Sequence, residues 1–81
     1  MAKMRFTCEV GAIYRGRIRK EFNKARRDIL YESPEAEVII TENKSLLESE
    51  FTFTITGAPD YVVEAASRAF TKFFEAMGVT S

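Results

Sequence analysis

Residues 36–56 read Ala36-Glu37-Val38-Ile39-Ile40-Thr41-Glu42-Asn43-Lys44-Ser45-Leu46-Leu47-Glu48-Ser49-Glu50-Phe51-Thr52-Phe53-Thr54-Ile55-Thr56, and the fold turns on how this stretch is read. Ala36, Val38 and Ile40 alternate with Glu37, Ile39 and Thr41, while Phe51, Phe53 and Ile55 alternate with Thr52, Thr54 and Thr56. A period of two in a β-branched and aromatic run marks a strand with one face buried and one exposed. Two such runs in succession predict a hairpin. Its expected connection is the long polar segment Glu42 to Glu50, which holds Asn43-Lys44 and the Leu46-Leu47 pair.

Upstream, Met4, Phe6, Cys8 and Val10 alternate with Arg5, Thr7 and Glu9 and predict a first strand. Gly11 permits a change of direction, after which Tyr14, Ile18, Phe22, Ala25 and Ile29 recur at helical spacing, so a helix is expected from about Ala12 to Tyr31. Gly16 costs that helix about 1 kcal/mol relative to alanine, so its first turn is weak and the strand could run on to Tyr14. Ser33-Pro34 ends the helix, because the residue before proline is pushed out of the helical region and proline has no amide donor. Downstream, Gly57-Ala58-Pro59-Asp60 breaks the third strand, and Asp60 is the expected N-cap of a second helix. Val62, Ala66, Ala69, Phe70, Phe73 and Met77 form its stripe, and Gly78 suits the position just past its end.

The order β-α-β-β-α predicts one α+β domain over residues 1–81: a two-layer sandwich with two helices on one face of a three-stranded antiparallel sheet, ferredoxin-like but lacking the last strand. With the third strand central, the first becomes an open edge, which invites pairing with another chain. A chain of 81 residues hides only roughly 60% of its surface on folding. Its core is therefore thin, and a homodimer or a heterodimer is expected.

Composition narrows the chemistry. The chain is 46% hydrophobic and 30% charged, with no His, no Trp, no Gln and a single Cys. No disulfide, zinc cluster, Ser-His-Asp triad or Cys-His pair can be assembled from one such chain, so neither a catalytic site, a metal site nor a cofactor is expected. Cys8 shares the buried phase of Phe6 and reads as a small core residue. Glu35/Glu37 and Glu48/Glu50 share strand faces, yet nothing near them in sequence would raise a pKa. Few labile amides beside many charges point to a thermophilic source. No run approaches the roughly 20 apolar residues of a membrane span, and Met1-Ala2-Lys3-Met4-Arg5-Phe6 lacks the apolar run of a signal peptide, so a cytoplasmic location is expected.

The zero net charge averages two opposite halves. Residues 1–27 hold nine Lys and Arg against two acids, a net +7, and residues 28–81 hold three against ten, a net −7. On the first helix Arg15, Arg19 and Arg26 project from one side and Lys20, Lys24 and Arg27 from another, a surface along which an RNA backbone could lie. The same charges could equally be a solvated face paired with the acidic half. No RNP-type aromatic strand or GxxG loop is present for reading sequence. The outward sheet face is expected to show Lys3, Arg5, Thr7, Glu9, Ile39, Thr41, Thr52, Thr54 and Thr56, an ordinary cross-strand threonine ladder. On the second helix Val63 and Phe74 widen the stripe, and Ala65, Ala66, Ser67 and Ala69 permit close helix approach, which suits either covering the sheet or docking on another chain.

The element order, the length and the C-terminal Phe73-Phe74-Glu75-Ala76-Met77-Gly78 together resemble the Pcc family, the small dimerising subunits of the KEOPS complex. The resemblance covers nearly the whole chain and rests on topology and on the hydrophobic pattern of the last helix. It implies a non-catalytic assembly subunit that pairs with a copy of itself or a paralogue and docks its helices on the catalytic subunit, which places threonylcarbamoyl on adenosine in tRNA. The docking residues it implies are Val62, Val63, Ala66, Phe70, Phe73, Phe74 and Met77. Where family members often carry an early Arg and a central Asn-Ser pair in this helix, the chain has Asp60-Tyr61 and Ser67-Arg68, a departure that a divergent archaeal paralogue would accommodate. The other reading is an independent small RNA-binding domain.

Overall fold

Strand β1 (Ala2–Gly11) leads through a short 3-10 turn (Ala12–Tyr14) into helix α1 (Arg15–Glu32). Strands β2 (Glu37–Lys44) and β3 (Glu48–Ala58) follow, then helix α2 (Asp60–Met77), in a computed structural model that describes residues 2–77. Gly78, the expected cap glycine, lies outside the described residues. The sheet order is β1-β3-β2, antiparallel throughout, so β3 is central and both β1 and β2 are edges.

The hairpin differs from expectation at its tip. β2 and β3 stay paired as far as Lys44 opposite Ser49, leaving Ser45-Leu46-Leu47 as the turn, in place of the nine-residue tip that its charged residues suggested. Ser45 stabilises it from within: its N–H donates to the Glu48 carbonyl at 2.8 Å and its hydroxyl to the same oxygen at 3.0 Å.

Two other local expectations are corrected. Gly11 sits at φ −65°, ψ 158°, extended backbone open to any residue, and the change of direction is made by the 3-10 turn that follows. Asp60 is the first helical residue and not the cap, because the Pro59 carbonyl already accepts from Val63 N–H at 3.2 Å. Its carboxylate still lies in the first turn, where the helix dipole favours it. As expected, α1 stops at Glu32, ahead of Ser33-Pro34.

The core lies between the inner sheet face and the helices. Phe51, Phe53 and Ile55 of β3 are fully buried beneath Ile18 and Phe22 of α1 and Phe70 of α2, which are fully buried too. Phenylalanines knit the layers together. The Phe70 ring lies 4.9 Å from Phe53, 5.2 Å from Phe22 and 5.2 Å from Phe6, and Phe6 stacks on Phe74 at 5.3 Å, distances at which aromatic pairs attract. Cys8 is buried in the same cluster. The outer sheet face carries no helix, and its charged and threonine side chains stand exposed or half-exposed in rows fixed by the register: Lys3-Thr56-Glu37, Arg5-Thr54-Ile39, Thr7-Thr52-Thr41 and Glu9-Glu50-Asn43.

Candidate functional site

Of the seven residues suggested for docking, four are spent on the chain's own core. Val62, Ala66, Phe70 and Phe74 are buried against the sheet, and only Val63, Phe73 and Met77 remain half-buried at its margin. An 18-residue helix over a narrow sheet uses its whole central stripe as cover, so the surface left to a partner is the flanks of α2.

The basic face of α1 divides in the same way. The Arg15 guanidinium is committed to the hairpin: Nε donates to Ser49 Oγ, and Nη2 donates to the carbonyls of Ser45 and, at 2.8 Å, Glu48. Arg19 grips Glu42 with both carboxylate oxygens engaged, at 2.9 and 3.1 Å from Nη2, and Ser49 donates its hydroxyl to Glu42 Oε2 at 3.2 Å. A continuous polar clamp, Arg15-Ser49-Glu42-Arg19, thus ties the start of α1 to the hairpin, and it explains how Ser49 can be buried inside a strand. Burial would raise the Glu42 carboxyl, but Arg19, with help from Ser49 and Lys44, holds it below the ordinary carboxylate value. Lys20, Lys24, Arg26 and Arg27 remain exposed. Arg17, absent from the anticipated set, belongs with three of them: Arg17, Lys20, Lys24 and Arg27 follow one ridge of α1 opposite buried Phe22, and exposed Tyr31 continues it. The spacing of three and four residues could have revealed that ridge.

Between α1 and α2 the helices part into a groove of about 480 Å³. Its floor is apolar, Ile29, Val62, Ala65, Ala66 and Ala69, and its α1 rim carries Glu21, Asp28 and Glu32 with Lys24 among them, a net negative charge. The alanines that permit close helix approach leave space here. In the sheet layer β1 forms one edge, and half-buried Met4 and Phe6 point inward along it.

Two further titratable groups are perturbed. Glu9 is raised by a shared hydrogen bond and like-charge repulsion with Glu48, its neighbour on the outer sheet face. Burial pushes the Cys8 thiol up to about 11, against a lowering hydrogen bond from the Phe51 backbone, which leaves it protonated and unreactive at neutral pH. Among the described residues no His, Cys, Asp or Glu group is arranged to hold a metal ion, and no helix is long and apolar enough to cross a membrane. No family model, curated protein or solved structure matches this chain.

Proposed function

We propose that the chain is a non-catalytic assembly subunit that dimerises through its β1 edge within a larger tRNA-modifying complex, as its resemblance to the Pcc subunits implies. The observation that carries the reading is the self-complementarity of that edge. If two β1 strands pair antiparallel about Thr7, Arg5 of each faces Glu9 of the other on the outer side, and Met4 faces Val10 on the inner side. Nothing comparable holds for β2, whose outward residues Glu37, Ile39, Thr41 and Asn43 offer no opposite-charge partners to themselves. A ten-residue strand left open in this way is the element another polypeptide completes. Recovery from the native source at moderate and high salt tests the assembly role: a companion protein chain is expected to stay bound at high salt, and recovery of the chain alone under both conditions contradicts it.

A second reading, binding of an RNA backbone, draws on the α1 ridge of exposed Arg17, Lys20, Lys24 and Arg27, flanked on one side by Glu21 and Asp28. Since Arg15 and Arg19 are held by the hairpin, this reading places tRNA contact on the ridge and on Arg26. Reversing Lys20, Lys24 and Arg27 to Glu should remove RNA retention in a mobility-shift assay and leave dimerisation unchanged.

A further inference from the structure

Three of the large apolar side chains on the surface gather at one end of the molecule: Ile13 is 83% exposed, Leu46 90% and Leu47 74%. They are brought together by backbone, since Ala12 N–H donates to the Leu47 carbonyl at 2.9 Å, joining the β1-α1 connection to the hairpin turn. Arg15 then holds the turn through the Ser45 and Glu48 carbonyls. The outcome is an apolar knob on a braced support, and ordering it on binding costs little. Its surroundings are polarised. Arg17 lies one helical turn beyond Ile13 on the helix side, whereas Glu9, Glu48 and Glu50 occupy the sheet side.

The interhelical groove carries the complementary pattern. Its floor is apolar and its α1 rim net negative, while exposed Arg68 and Lys72 stand three residues beyond Ala65 and Ala69, outside the groove lining but on the α2 side of it. An apolar knob with one basic and one acidic flank therefore has one favoured orientation in it.

We propose that the hairpin tip of one molecule seats in the interhelical groove of a second copy. Leu46 and Leu47 lie on the alanine-lined floor, with Arg17 toward the Glu21, Asp28 and Glu32 rim and Glu48 toward Arg68 and Lys72. The contact is heterologous, because knob and groove are different surfaces of the same chain, so it propagates head to tail and does not stop at two. It leaves the β1 edge free, touches the outer sheet face only at Glu48, and goes beyond the dimer proposed above.

Sedimentation velocity over a concentration series tests this with the full chain. The wild type should form species larger than a dimer, weakened by salt but not abolished. Leu46→Ser combined with Leu47→Ser removes the knob, and Ala69→Trp blocks the groove; each should weaken the larger species by about tenfold or more. All three positions are exposed, and matching circular dichroism and melting curves verify folding. Should Ala69→Trp fold poorly, Ala65→Glu serves the same purpose from the same wall. Mixing the two variants, each also carrying Arg5→Glu to weaken the edge dimer, restores one knob and one groove and should yield a hetero-species that neither variant forms alone. Arg5→Glu, which acts on the edge alone, should leave this association in place, separating its failure from failure of the dimer. Growth that stops at a dimer, variants that behave as wild type, or a mixture that forms nothing new each overturn the proposal. So does knob-dependent binding to vesicles of anionic lipid without self-association.

Discussion

Two glycines show how conformation sorts residues of one type. Gly57 sits at φ 78° where the β1-β3 register shifts between Ala2 opposite Ala58 and Lys3 opposite Thr56, so it is the extra residue of a bulge in a conformation that a Cβ disfavours. Gly16 lies in α1 with open space where its Cβ would be. Gly57→Ala should therefore lower stability by about 1 kcal/mol, and Gly16→Ala should raise it by about 0.5 kcal/mol, both read from denaturant midpoints. Acid titration separates two carboxylates in the same manner. Glu42 is lowered by Arg19, so its contribution is complete above the ordinary value of 4.5 and is lost as pH falls through its lower folded value. Glu9 is raised by Glu48, so it opposes folding once both are ionised and the opposition fades on acidification. In the Arg5→Glu background, where the edge pair is absent, Glu9→Gln should raise the melting temperature at pH 7 and have little effect near pH 3. Destabilisation at pH 7 would contradict this account of Glu9.

Element by element, periodicity was a reliable guide where large apolar residues supplied it, but it wrongly placed Ala69 in the buried stripe of α2, where the structure leaves it exposed on the groove wall. The Phe51-Phe53-Ile55 and Ile18-Phe22-Ile29 stripes could be assigned to the core from spacing alone, because a buried face requires that spacing. The strand ends around the hairpin tip were hidden for a physical reason. Glu42, Lys44, Glu48 and Ser49 have low β-propensity and are held in the ladder by a clamp from a helix more than twenty residues away in sequence. Arg19 is an exposed charge paired with the acidic half, as one of the two readings had it, whereas half-buried Arg15 is drawn into the hairpin, which sequence spacing could not show. Arg15→Ala should cost about 1 to 3 kcal/mol, since it strands buried Ser49 without its donor, and amide exchange should speed up first around Ser45 and Glu48. The docking stripe on α2 was legible as apolar, but which part of it serves the chain itself depends on the width of the sheet beneath. Phe70→Ala should cost about 3 to 5 kcal/mol of folding stability, whereas Phe73→Ala, at the half-buried margin, should cost far less.

At the scale of the whole molecule, the charge division along the sequence is resolved only in part within one chain. The clamp joins Arg19 of the basic half to Glu42 of the acidic half, whereas the α1 ridge, the acidic groove rim and the alternating charges of β1 all face outward. The proposal that the chain is a subunit rests on its open edge and its exposed apolar tip, and the β1 register is the claim on which that proposal stands. Sedimentation equilibrium tests it most directly, carried out in the Leu46→Ser, Leu47→Ser background so that only the edge is read. The account predicts a dimer, its weakening by Arg5→Glu, which sets carboxylate against carboxylate across the two-fold axis, and its recovery when Glu9→Arg is added. A monomer at every concentration, or a dimer indifferent to both substitutions, would contradict it.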